Sequence, residues 1–236
     1  MTRKFSEFGH KDFLVHDLLR TLTDEHSDSI SYRTAMKLLG NGLGKILVEQ
    51  ISGTKNGVYL ACTVEDADFF GKGILDILEK QQVDLSFACF WNEHYKPFGI
   101  NDLTVAPIVR KYQEPPNRKV KYLIVVKSII SGACVVKTNL TALIEKIAPE
   151  HIFIVAPVMH ERAEERLRNE FDEKTSSLFR FFYYAKDSER TEDGTVVPGV
   201  GGSVYERLGL GDSHEKNTYI PEIVKERRKR FATSRS

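Results

Sequence analysis

The chain has 236 residues, 41% of them hydrophobic and 28% charged, with a formal net charge of +1. That length and composition suit a soluble globular protein that builds its core without disulfide or metal staples. The balanced charge excludes a global field drawing it to nucleic acid or anionic lipid.

Cys62, Cys89 and Cys134 form no CxxC pair and leave one thiol over. This fits buried thiols in a reducing compartment. With no leader-like or membrane-length apolar run, a cytoplasmic protein is expected. Residues 10–26 read as a short helix with Phe13, Leu14, Leu18 and Leu22 on one face. Ser31 offers an N-cap for a longer helix, in which Met36, Leu39, Leu43, Ile46, Leu47 and Ile51 keep the helical period. Gly40, Gly42 and Gly44 sit inside that pattern and suggest close packing or a kink. GNGLG also resembles a phosphate-type glycine loop, but no strand precedes it.

Residues 57–62 (GVYLAC) predict the first core strand. The loop 63–70 (TVEDADFF) follows, then a helix over 71–81 and a strand over 83–91. Residues 92–108 are polar and irregular, with Pro97, Gly99 and Pro107, as in a mobile loop or an insertion with a role. Residues 111–121 carry Pro115-Pro116 and the basic Lys111, Arg118, Lys119 and Lys121, and punctuate the chain. The apolar strand 122–126 then runs into a short loop, 127–132, and a helix over 135–147. That order sets backbone N–H groups and a positive helix end at a strand's carboxyl edge, where α/β proteins bind phosphorylated ligands. The candidate contacts there are Lys127, Ser128, Ser131, Gly132, Ala133 and Cys134.

The strand 151–156 (HIFIVA) is expected to stop at Pro157. Residues 160–171 form a charged helix whose HERAE string lacks the second histidine of a zinc motif, so no metal site is assigned. The aromatic run 179–185 is a core strand in preference to a base-stacking platform. Strands alternating with helices give an α/β fold, a mainly parallel sheet with helices on both faces. Six glycines within 193–211 let backbone approach a ligand closely. One domain is expected over 1–220, with the helices of 10–51 included. Residues 221–236 form a basic C-terminal helix or tail. Its Lys225, Arg227, Arg228 and Arg230 read as a solvated face that could also meet nucleic-acid phosphate.

Three stretches together resemble uracil phosphoribosyltransferase, a type I phosphoribosyltransferase. They are YLIVVKSIISGACVVKTNLTALIEKI, HIFIVAPVMHERAEERL and FFYYAKDSERTEDGTVVPGVGGSVYERLG. Their order and spacing agree over roughly residues 10–211. The resemblance implies a homodimer. It also implies a uracil loop at Val197, Gly199, Gly201 and Gly202 that reads the base with main-chain groups.

The departures from the family are chemical. In active members the central loop begins with acids that hold the ribose hydroxyls, directly or through magnesium. Here Lys127 and Ser128 stand there, and only Ser131 and Gly132 remain to cradle a phosphate. The family's Arg-Ala-Gly-like pyrophosphate turn is replaced by Val64, Glu65, Asp66 and Asp68. Two like unit charges about 4 Å apart near a surface repel by about 4 kcal/mol, so carboxylates there disfavour pyrophosphate unless a metal intervenes. Gly202 replaces the aspartate after the uracil loop. The stretch 91–107, with Asn92, Glu93 and His94, lacks the expected arginine. Magnesium therefore enters through the resemblance alone.

The expectation is a uracil phosphoribosyltransferase-like protein that has lost transfer from phosphoribosyl pyrophosphate (PRPP). It would sense a nucleotide or pyrimidine, or act as a structural subunit of a larger assembly. Two alternatives stay open. One is altered chemistry on a nucleotide-like substrate, with Glu65, Asp66 and Asp68 as the catalytic set, either metal ligands or general acid/base groups. The other is an active enzyme making UMP from uracil and PRPP. Whether the three carboxylates converge beside Lys127 discriminates the altered chemistry.

Overall fold

The computed structural model describes residues 3–51, 57–93, 105–192 and 194–233, with the side chains of 231–233 excepted. The chain opens with β1 (Lys4–Phe5), α1 (Phe13–Thr23), α2 (Ser29–Gln50), β2 (Gly57–Thr63), α3 (Val64–Ala67), α4 (Phe70–Lys80), β3 (Leu85–Asn92) and β4 (Ile108–Gln113). It continues with β5 (Val120–Val126), β6 (Ile129–Ile130), α5 (Cys134–Ile147), β7 (His151–His160), α6 (Ala163–Asn169), α7 (Glu173–Ser176) and β8 (Phe179–Asp187). β9 (Glu189–Arg190), β10 (Val196–Val197), α8 (Val204–Arg207) and α9 (Glu222–Thr233) complete it. Much of the stretch 91–107, including His94 and Pro97, lies outside the described residues. No described helix is long and apolar enough to cross a membrane.

The main sheet has the order β1-β8-β7-β5-β2-β3-β4, with β6 beside β7. The five inner strands are parallel, and the edges β1 and β4 are antiparallel. Inner parallel strands are covered on both faces, which is why they read as apolar runs. Alternate residues feed two cores. Leu60, Phe87, Ile124 and Phe153 pack with α1, α2 and α4 on one side. Tyr59, Leu123, Ile154 and Phe179 pack with α5 and α6 on the other. β2 is followed by β3 on one side of it, whereas β5 is followed by β7 on the opposite side. Strand order therefore reverses between β2 and β5. Open α/β sheets hold ligands in the crevice outside the carboxyl ends at such a point.

Several local expectations shift. α1 buries Val15, Leu19 and Leu22, whereas Phe13 and Leu14 are 84% and 58% exposed. Asp28, not Ser31, caps α2, and its carboxylate accepts the Ser31 N–H at 2.7 Å. β4 was not foreseen, because Arg110 and Lys111 make it look like loop; charges of this kind guard a sheet edge. β7 continues through Pro157. Its partner β5 ends at the Val126–Val155 pair and β6 resumes at Ile129–Val158. Proline, which has no N–H, falls in that gap.

GNGLG lies inside α2, and its role is contact, not phosphate binding. A Cβ on Gly40 would lie 2.2 Å from the Phe70 carbonyl oxygen, and one on Gly73 2.2 Å from that of Lys37. The backbones of α2 and α4 touch there. Gly73→Ala should therefore lower stability by about 1–3 kcal/mol, as overpacking does, measured as a fall in the urea midpoint.

Candidate functional site

Glu65 and Asp66 follow β2 directly in α3, and Lys127 and Ser128 follow β5. The parallel pairing of the two strands brings these ends together in the crevice. Lys127 Nζ lies 3.0 Å from Glu65 Oε1 and 3.2 Å from Asp66 Oδ2. Asp66 also accepts the Thr63 hydroxyl at 2.5 Å and the Ser128 N–H at 2.9 Å. Lys216, from a single 3-10 turn at Glu215–Asn217, lies 3.7 Å from Glu65 Oε2 and donates to the Asn92 carbonyl at 3.1 Å. All four charged side chains are buried.

Two cations and two anions thus face one another. Burial pushes the Glu65 carboxyl up, but Lys127 and Lys216 outweigh it and hold the group at about 2. Burial pushes Lys127 down, but Asp66 and Glu65 outweigh it and hold the ammonium above its ordinary range. Both stay ionised near neutrality, so Glu65 has no proton to donate there. Among the described residues no three His, Cys, Asp or Glu side chains gather as a metal-ligand set.

Asp68 faces another way. Its carboxylate accepts the N–H groups of Glu222 at 2.8 Å and Ile223 at 3.0 Å, and the Tyr219 hydroxyl. It caps α9 from a distant part of the chain. Two of the three candidate carboxylates therefore meet Lys127, and the third does not.

The rest of the central loop, Ser131, Gly132 and Ala133, leads into α5 at Cys134. A Cβ on Gly132 would meet nothing within 4 Å, so the loop borders open space. Ala133 supplies no side-chain cap to α5. Burial pushes the Cys134 thiol up, away from a reactive thiolate.

In the glycine loop, Gly199, Gly201 and Gly202 have φ of +55°, +80° and +96°. Gly201 is further restricted, since a Cβ there would lie 1.9 Å from the Leu22 carbonyl oxygen. The loop is held from three sides. Asp187 accepts the Gly199 N–H at 2.8 Å, Arg3 donates to the Gly199 carbonyl at 2.5 Å, and the Tyr32 hydroxyl donates to the Val200 carbonyl at 2.8 Å. Sequence reasoning missed all three supports. Only Asp187, an acid closing an aromatic strand, carried any signal. Val197 precedes the loop in β10.

The basic stretch at the C-terminus is engaged internally. Arg227 is buried, with Nη1 2.8 Å from Glu114 Oε2 and Nη2 2.7 Å from Glu79 Oε1. Arg228 stacks over Tyr112, Arg230 lies 3.8 Å from Glu79, and Lys225 pairs with Glu222. Ile223 and Val224 are buried beside Arg227, so α9 packs on the body of the protein. Arg227 in particular is not the solvated charge that its sequence context suggested.

No protein-family model and no curated protein sequence matches the chain. Solved structures do. The AQ2163 protein from Aquifex aeolicus, 13% identical, aligns with a TM-score of 0.63 over 87% of this chain and 97% of its own. The L. donovani hypoxanthine-guanine phosphoribosyl transferase is 13% identical, with a TM-score of 0.41 over 66% of this chain and 83% of its own. A hypothetical protein from Neisseria gonorrhoeae with bound ppGpp is 12% identical, with a TM-score of 0.41 over 63% and 77%. The first likeness shows a shared fold. The other two are too loose to carry an argument, and identities this low speak of fold and not of activity.

Proposed function

We propose that this chain is a phosphoribosyltransferase-like protein that does not transfer from PRPP and serves as a nucleotide-sensing or structural subunit. One observation carries the reading: the Lys127 ammonium lies between Glu65 and Asp66 at the strand-order reversal. Transfer from PRPP requires preorganised charge for an anionic donor and a leaving pyrophosphate. Here the cations are already neutralised by carboxylates. Freeing either member would strand a buried charge, at about 3–5 kcal/mol.

The ligand side of the proposal rests on the glycine loop. Gly202 borders open space, as Gly132 does, and the loop's conformation is fixed by Asp187, Arg3 and Tyr32. Fixed main-chain groups suit recognition of a pyrimidine or nucleotide. A homodimer belongs to the same proposal. Nucleic acid does not, because Arg227 is taken up by Glu79 and Glu114. Altered chemistry on the acidic loop is disfavoured, since Glu65 and Asp66 are already paired with Lys127 and Asp68 caps α9.

The test is incubation with uracil, PRPP and magnesium. No UMP is expected above the protein-free rate, while calorimetry with UMP should give saturable binding. UMP formed in repeated turnovers would overturn the proposal.

A further inference from the structure

The carboxyl ends of β7 and β8 lie side by side, with His160 opposite Asp187. His160 Nδ1 accepts the Arg162 N–H at 3.1 Å, so Nε2 carries the proton and donates to the Ser188 carbonyl at 3.2 Å. Both ring nitrogens are engaged by backbone, and the imidazole is a neutral wall. Two residues beyond Ser188, Arg190 pairs with Val196 in the β9–β10 ribbon, immediately before the glycine loop. Arg166 stands in α6, the helix that follows β7.

Arg190 lacks partners where it most needs them. Its Nε and Nη2 are buried and make no hydrogen bond. Neither Arg190 nor Arg166 joins an ion pair among the described residues. The two guanidinium groups are near enough to interact. Burial, then the charge of Arg166, pushes the Arg190 guanidinium below its usual range, and Arg190 and Arg166 also add to burial in holding His160 down. Buried donors in folded proteins are normally satisfied, so two on one guanidinium call for an explanation.

The identity of the two atoms supplies one. Nε and Nη2 form the edge of a guanidinium that grips an oxyanion through two parallel hydrogen bonds. Arg3 uses that edge on Asp187, with Nε 2.9 Å from Oδ1 and Nη2 2.7 Å from Oδ2. On Arg190 the same edge has no protein acceptor. We propose that Arg190 and Arg166 form a binding site for a phosphate group on a small ligand, Arg190 gripping it through Nε and Nη2 and Arg166 supplying the second positive charge. Two guanidinium charges suit a doubly charged phosphate better than a single carboxylate. The site flanks the glycine loop, and among the described residues no ion pair joins Arg190 or Arg166 to the Lys127 cluster. Its failure would leave the loss of transfer standing.

The probe is inorganic phosphate, titrated into the full chain at low salt, with calorimetry and thermal melting as readouts. The wild type should bind saturably and melt at higher temperature as phosphate rises. Arg190→Gln should weaken binding roughly 10- to 100-fold, the range for a charge-assisted pair. Arg190→Lys, which keeps the charge but not the fork, should also bind more weakly than wild type. Arg118→Gln, at an exposed pair with Asp84, should bind as wild type does. Without phosphate, Arg190→Gln should melt no lower than wild type, because the Nε and Nη2 donors it removes make no hydrogen bond. Equal phosphate response in wild type and Arg190→Gln, or no saturable binding to wild type, would overturn the proposal.

Discussion

Lys127→Met should destabilise the protein by about 3–5 kcal/mol near neutral pH, seen as a lowered urea midpoint. The substitution roughly keeps the volume and removes the charge. It leaves Glu65 and Asp66 buried together, with Lys216 3.7 Å from one of them. Glu65→Gln in the same background should recover part of the loss by removing one of the two like charges, and the double-mutant cycle measures the coupling. Acid gives an independent check. In the wild type Glu65 titrates at about 2 against an ordinary 4.5. A depressed carboxyl stabilises fully above its unfolded pKa, and that contribution is lost as pH falls from 4.5 toward about 2. It amounts to on the order of 3 kcal/mol. Without Lys127, burial and the neighbouring Asp66 push Glu65 upward, so the variant takes up a proton on folding and gains from acid. The deficit should begin to shrink above about pH 4.5, as Glu65 of the variant protonates, and shrink further below it, as the wild type loses its ion-pair contribution. A deficit that stays constant through that range would mean that Lys127 acts through packing, and the charge account of the crevice would fail.

The same cluster shows where sequence reading stops. The core strands were legible because β2, β3, β5, β7 and β8 are apolar runs, separated by helical patterns except between β3 and β5. The lysine in the central loop and the acids after β2 were legible as separate departures from the family pattern. Their pairing was not, since Lys127 and Glu65 are 62 residues apart and meet only because β2 and β5 are neighbours. Lys216 gave no signal at all, and it enters from a short turn beyond the resembling region. Asp68 was grouped with Glu65 and Asp66 by adjacency. α3 ends at Ala67, and beyond it the side chain turns to the start of α9. In α1, Leu22 was placed correctly, but Phe13 and Leu14 were chosen over Val15 and Leu19. Both sets fit a helical period, and only the packing against α2 separates them.

Arg227→Ala should cost about 3 kcal/mol or more, although it lies in a stretch that reads as a surface tail. Its partner Glu114 is buried and already accepts the Phe87 N–H at 2.8 Å and the Tyr112 hydroxyl at 2.9 Å. Those bonds do not replace the guanidinium charge 2.8 Å away. Removing it leaves a buried carboxylate and loosens α9, whose Ile223 and Val224 complete the core. The deficit should persist in high salt, because a buried pair is poorly screened. Arg228→Ala and Arg230→Ala, on the exposed side, should each stay within about 0.5 kcal/mol of wild type. Glu114→Gln in the Arg227→Ala background should restore part of the stability. The contrast also governs any test of nucleic-acid binding. Alanine at Arg227 would weaken binding by disturbing α9, whatever α9 touches. Only Arg228→Ala with Arg230→Ala separates contact from fold. If Arg227→Ala proved as mild as those two, α9 would not be held by Glu114, and the basic stretch would regain its standing as a free surface.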